Sequence, residues 1–241
     1  MVVQQALLST RTGEPYQPAR VYYQVSNQKT VIGAFQKLRC MDFDRERNRW
    51  VWLYEHEAAK KLRFTKPYNQ IPKQFRPVII GYFTFRGEEQ MLLDLRSLER
   101  VIKAIDFFAK RINHRVAKAT HVRVVNRYFS SQEMPQGNLV GEVPPSLDIF
   151  FDLQEVETAR TSSIMAKVQQ LSAESQDLVQ DGSELESYLN ELVNTPFPEI
   201  EEIPITYSDD GIGTLAVDLF VRQLMASRSG SVTKEYYISL F

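Results

Sequence analysis

The chain has 241 residues, 43 % hydrophobic and 11 % aromatic, enough to bury one large core or a domain with a helical appendage. Its net charge of −1 conceals a split: residues 1–150 carry 24 Lys/Arg against 14 Asp/Glu, and residues 151–241 carry 5 against 16. The single cysteine, Cys40, excludes an intrachain disulfide framework. With no run near the ~18 apolar residues of a membrane span, and no basic start to Met1–Leu8, the expectation is a cytoplasmic protein without membrane contact.

Residues 1–18, with Gly13, Pro15 and Pro18, read as a flexible arm. Arg20–Ser26 is rich in Val and Tyr and reads as a strand. Asn27 caps a helix with an apolar stripe at Val31, Ile32, Phe35 and Leu38. Asp42–Asn48 (DFDRERN) reads as a charged turn before the strand RWVWLYE, and His56–Phe64 as a short basic helix or turn. A loop punctuated by Pro67, Pro72 and Pro77 follows. Val78–Phe85 is a strand, turning at Arg86-Gly87-Glu88 into the strand QMLLDLR. Ser97 caps an amphipathic helix through Leu98, Val101, Ile102, Ile105, Phe108 and Ala109, and a strand runs from Thr120. This order suggests an α+β fold, a ferredoxin-like β-α-β-β-α-β sandwich with an extra strand.

After Pro144-Pro145 the pattern changes. Ile164, Val168, Leu171, Leu178, Leu185, Leu189 and Leu192 recur at steps of three and four, broken at Asp181-Gly182 and restarted by a capping box at Ser183 and Glu186. The reading is an acidic helical hairpin with one apolar seam. The acidic linker TPFPEIEEIP then leads to a last helix, Ile212–Ala226, and a terminal strand, VTKEYYISLF. The expected partition is a flexible arm (1–18), a basic α+β domain (19–152), an acidic helical segment (153–200) and a C-terminal helix and strand (201–241).

Several catalytic and metal motifs fail on one residue. His56-Glu57 opens like a zincin helix, but Lys60 stands where the second histidine belongs. DFDRERN spaces its acids as a calcium loop does, yet its sixth position is Arg47 and its twelfth Leu53. Asp209–Thr214 reads as a plain turn with an N-cap, because no lysine follows to hold a phosphate. No metal or cofactor is expected. If the chain were an enzyme, it would be a metal-independent ribonuclease using His121 beside Arg123, or His114 beside Arg115 and Lys118.

The basic half interleaves cations with aromatics. Period two places Trp50, Trp52 and Tyr54 on one strand face and Val51 and Leu53 on the other, and sets Val122 and Val124 opposite His121, Arg123 and Arg127. If the aliphatic faces meet the helices, the other sheet face gathers Tyr22, Trp50, Trp52, Tyr54, Arg123 and Arg127. It is flanked by Lys60, Lys61, Arg63, Lys66, Lys73 and Arg76, which is equipment for stacking bases and tracking phosphates. Over a handful of residues Gly81–Phe85 (GYFTF) resembles an RNA-recognition-motif core, with Phe83 where that motif has a small residue.

The expected function is therefore a non-enzymatic nucleic-acid-binding module, RNA first. Trp50, Trp52 and Tyr54 would form the base platform, with Arg49, Lys61, Arg63, Arg123 and Arg127 on phosphates. The alternative is a protein-interaction or assembly adaptor, whose acidic helices dock a partner or cover the chain's own basic domain.

Overall fold

The computed structural model of the protein describes residues 7–129, 147–151, 200–207 and 212–229. The expected acidic helices, the turn at Asp209–Gly211 and the terminal strand lie outside the described residues. The elements are β1 (Ala19–Val25), α1 (Gln28–Gln36), β2 (Met41–Asp44), β3 (Arg49–Leu53), α2 (His56–Lys61), β4 (Ile79–Arg86), β5 (Gln90–Leu95), α3 (Leu98–Ala109), β6 (Ala117–Val125), α4 (Asp148–Phe151), β7 (Ile200–Pro204) and α5 (Gly213–Ser229).

Period-two alternation of β-branched and aromatic residues builds a seven-stranded sheet in the order β2-β3-β4-β5-β1-β6-β7, with every neighbouring pair antiparallel. The fold is thus α+β. β1 and β2 run parallel with β5, β4 and β3 between them, and the chain passes from β1 to β2 through α1. The sheet has two strands beyond the expected set, and both come from segments whose charge reads as turn or linker. β2 occupies the start of DFDRERN, where Met41 and Phe43 lie on the same side as Trp52 and Trp50. β7 occupies the acidic linker, where Ile203 pairs Val122 and Glu202 pairs Arg123.

Both helix caps follow the sequence. The Asn27 side chain accepts from the Thr30 N–H at 2.9 Å, and the Ser97 hydroxyl from the Arg100 N–H at 3.2 Å. α3 buries Leu98, Val101, Ala104, Ile105, Phe107 and Phe108 against the sheet; α1 adds Val31 and Phe35. Ile203, Ile205, Ile212, Leu215 and Leu219 belong to the same core, so β7 and α5 share it with β1–β6. Glu201 on β7 and Arg222 on α5 fix that join through two hydrogen bonds of 2.8 and 2.6 Å, both side chains buried. Opposite the buried seam, α5 exposes Val217 (63 %), Phe220 and Val221.

The segment expected as a flexible arm packs in its described part, 7–18. Tyr16 and Gln17 are buried, and the Leu8 and Tyr16 amides bond Phe129 and Leu8 carbonyls. Thr12 and Glu14 are buried beside α3, so proline and glycine here shape a packed lead-in to β1.

Gly81 is needed where it stands. It pairs with Trp52, and a Cβ added there would lie 2.9 Å from Leu95 Cδ2 and 3.0 Å from Leu93 Cδ1, both fully buried. Gly81→Ala is therefore expected to cost about 1–3 kcal/mol of stability by overpacking, read as a lowered urea midpoint with an unchanged m-value.

Candidate nucleic-acid interface

The expected base platform lies inside the core. Trp50, Trp52 and Tyr54 are buried on the face that meets the helices. The Trp52 ring lies 4.9 Å from Phe108 and 5.3 Å from Phe107 on α3, and Trp50 lies 5.5 Å from Phe35 on α1. Tyr54 packs edge-on to Phe64 and Tyr68. Phe83 is fully buried on this same face, 4.8 Å from Phe35, so the GYFTF run supplies core rather than a stacking surface. These three aromatics have no face for a base. Trp50 and Trp52 are covered by α1 and α3, and Tyr54 by Phe64 and Tyr68 of the β3–β4 insertion.

The opposite sheet face carries Tyr22, His121 and Arg123 as expected, together with Arg20, Arg49, Tyr82, Asp94 and Glu202. Its cations are paired. Arg20 forks onto Asp94 at 2.6 and 3.0 Å and reaches Asp148 on α4 at 2.6 Å. Burial works against the charge on Arg20, but Asp94 and Asp148 outweigh it and hold the guanidinium pKa above its ordinary value. Arg123 bonds Glu202 at 2.8 Å and lies 5.0 Å from the Tyr22 ring centroid. Arg49 bonds Asp44 at 3.1 Å and sits 3.9 Å over Tyr82. Arg127 stacks 4.3 Å over Phe129. Spent on acids and rings of their own chain, Arg49, Arg123 and Arg127 are struts of the fold.

The histidines separate in the same way. His121 stacks on Tyr22 at 4.3 Å, its Nδ1 lies 3.0 Å from the Thr120 hydroxyl, and its Nε2 is 3.7 Å from Glu202. Burial, aided by Arg123 and opposed by Glu202, lowers its pKa below the ordinary value. The protein's own groups thus engage the ring face and both nitrogens. His114 is exposed on the turn before β6 and has no ring partner among the described residues. Cys40 is buried, and burial with the nearby Glu57 pushes its thiol up to about 12, so it is inert as a nucleophile.

The insertion between β3 and β4 is different. Residues 58–87 contain Lys60, Lys61, Arg63, Lys66, Lys73, Arg76 and Arg86 and no acidic residue, a window that the sequence shows once charges are counted locally. α2 begins beneath Cys40, where the Glu57 carboxylate accepts the Cys40 N–H at 3.1 Å. Its C-terminal end exposes Lys60 and Lys61, and Arg63 curls back to donate to the carbonyls of Lys60 and Leu62 at 3.1 and 3.0 Å. Phe64 and Ile71 are buried and anchor the loop. Two 3-10 turns, Tyr68–Gln70 and Lys73–Phe75, carry it back to β4. Arg76 staples the turns by donating to the carbonyls of Ile71 and Asn69 at 2.6 and 2.8 Å. Lys60, Lys61, Lys66 and Lys73 are exposed and make no ion pair among the described residues. Of the expected phosphate contacts, Lys61 and Arg63 fall here.

The lead-in segment supports this surface from below. The Lys66 amide donates to the Thr12 carbonyl at 2.8 Å, and the exposed Arg11 lies 4.5 Å over the Phe75 ring. Sequence reasoning missed both Arg11 and Phe75, because one lies in the presumed arm and the other among prolines.

No family model, curated protein or solved structure matches the chain. Among the described residues, no helix is long and apolar enough to cross a membrane.

Proposed function

We propose that the protein is a non-enzymatic nucleic-acid-binding module, RNA first, whose contact surface is the β3–β4 insertion. One observation carries the reading: four exposed lysines without an ion-pair partner among the described residues stand between residues 58 and 78, a stretch of the insertion that has no acidic residue and is stapled by Arg76. Elsewhere on the basic half, Arg20, Arg49, Arg86, Arg100 and Arg123 are consumed in ion pairs. A rigid array of solvated cations suits the phosphate backbone, which dominates nucleic-acid affinity and needs no base platform. The architecture goes with it as a ferredoxin-like plan enlarged by extra strands. The supporting features are the passage from β1 to β2 through α1 and the passage from β5 to β6 through α3, each spanning at least one intervening strand.

The test is fluorescence anisotropy of the full chain with a labelled U-rich RNA across a salt series. For a single strand, log K is expected to fall with log[salt] by about 0.7 per phosphate engaged. Changing Lys60, Lys61, Lys66 and Lys73 together to Ala should flatten that slope by about 3 and weaken binding roughly tenfold or more at moderate salt. No binding at low salt would sink the proposal and turn attention to the α5 stripe and the adaptor alternative. An unchanged slope in the quadruple variant would show that the surface lies elsewhere.

A further inference from the structure

We infer that Phe75, with Arg11 laid over it, is a base-stacking seat, so that unpaired rather than duplex nucleic acid is the ligand of this surface. The inference rests on the reading above and adds what the lysines alone do not specify. Phe75 is 42 % exposed, whereas the neighbouring loop aromatics Phe64 and Tyr68 turn inward to pack on Tyr54. Its turn is firmly set: the Phe75 amide donates to the Pro72 carbonyl at 2.9 Å and the Arg76 amide to the Lys73 carbonyl at 3.1 Å. Next to it, the Arg76 guanidinium is held by Ile71 and Asn69 and lies 4.7 Å over Tyr68. A ring held this way loses little freedom when a base stacks on it.

Arg11 makes the seat cationic. Its guanidinium carbon is 4.5 Å from the Phe75 centroid, and it forms no ion pair among the described residues. Ring and guanidinium plane are the two surfaces on which unpaired bases stack, and this pair adjoins Lys73 in sequence and Lys66 through the Thr12 contact. The exposed amides of Asn69, Gln70 and Gln74 add polar, uncharged groups on the same turns. A protein partner would meet an unusual surface here, since interface cores are depleted of lysine. A duplex keeps its base faces stacked inside, so only a single strand can use the ring.

The experiment compares a labelled single-stranded RNA of about 12 nucleotides with the matching duplex, on the full-length wild-type chain, Phe75→Ala, Phe75→Trp and the quadruple lysine variant. Phe75→Ala should weaken single-strand binding roughly five- to hundredfold, leave the salt slope unchanged and leave duplex binding where it was. Phe75→Trp should restore affinity, and its added indole should be quenched on binding. Circular dichroism confirms that each variant folds. If Phe75→Ala binds the single strand as wild type does while the lysine variant loses binding, the stacking seat is wrong and the phosphate surface stands. If neither nucleic acid binds the wild-type chain at low salt, both fall.

Discussion

Trp52→Ala should lose about 3–5 kcal/mol of folding stability, which is enough to unfold much of a marginally stable domain at ambient temperature. The indole is 0 % exposed, sits on Phe107 and Phe108 of α3, and lies across from Gly81, where no side chain could expand to fill the space it leaves. Its buried Nε1 has no hydrogen-bond partner among the described residues, an omission that costs about 1–3 kcal/mol. Trp52→Phe discards that orphan donor along with some apolar area and should fall much closer to wild type. Urea denaturation of the three proteins reads the ranking directly. The same two tryptophans also report on function. Trp50 and Trp52 are the only indoles and both are buried, so adding RNA should leave intrinsic fluorescence unchanged. Quenching on titration, or a Trp52→Ala variant of native stability that no longer binds RNA, would restore the platform to the sheet.

The reversal of that platform shows what local pattern can and cannot specify. Alternation correctly groups Trp50 with Trp52 and sets Val51 against them. It does not say which group meets the helices, because both faces of β3 are apolar: Val51 is buried on its side as Trp52 is on its own. The decision comes from Phe35 on α1 and Phe107 and Phe108 on α3, aromatic partners far away in sequence. On β1 and β6 the two faces differ sharply, Val21 with Val122 against Tyr22 with His121, and there the expected sides match the structure. β2 and β7 were illegible for a related reason. Asp42, Asp44 and Glu202 lie on the charged face of the sheet; Asp44 meets Arg49 across the β2–β3 turn, but Glu202 meets Arg123 and Glu201 meets Arg222, partners far outside a short window.

The charge split changes meaning in the same way. Summed by halves, it suggests one basic body and one acidic body. In the fold the two halves already interlock, Glu202 pairing with Arg123 and Glu201 accepting from Asn126, while Asp148 occupies Arg20 and Arg86 within the basic half and Arg222 answers Glu201 within the acidic one. Buried or half-buried pairs of this kind fix register and contribute little to an external field. The cations that matter to a polyanion are those left exposed, and Lys60, Lys61, Arg63, Lys66 and Lys73 are so placed where the chain runs from residue 58 to 87 without an acid.

The buried pair that sets the insertion in place should be nearly as sensitive as the tryptophan. Arg100→Ala or Glu14→Ala is expected to cost about 3–5 kcal/mol, because each leaves its partner as an uncompensated buried charge. Arg100 donates from Nε to Glu14 at 2.9 Å, from Nη2 to the Thr12 hydroxyl at 2.6 Å, and toward the Ile80 carbonyl at 3.4 Å. Glu14 also accepts from the hydroxyls of Thr10 and Ser97. Replacing both residues by Leu and Met should cost less than the two single losses added together, a coupling that a double-mutant cycle in urea measures. The pair also predicts a pH dependence with a definite sign. Burial pulls the Glu14 pKa up, but Arg100 and the Thr10 and Thr12 hydroxyls outweigh it and hold the carboxyl below its ordinary value of 4.5, with Glu99 the nearby opposing charge. A carboxyl depressed on folding contributes its stability in full above the ordinary value and loses it as pH falls through the folded pKa. Wild type should therefore weaken below about pH 4.5, and Glu14→Gln, already less stable at neutral pH, should weaken less steeply there. A Gln variant that tracks the wild-type slope would place the acid sensitivity in another carboxylate. Because Thr12 also receives the Lys66 amide, loosening this network should loosen the basic loop with it, and RNA affinity should fall in Glu14→Ala even at temperatures where the rest of the fold survives.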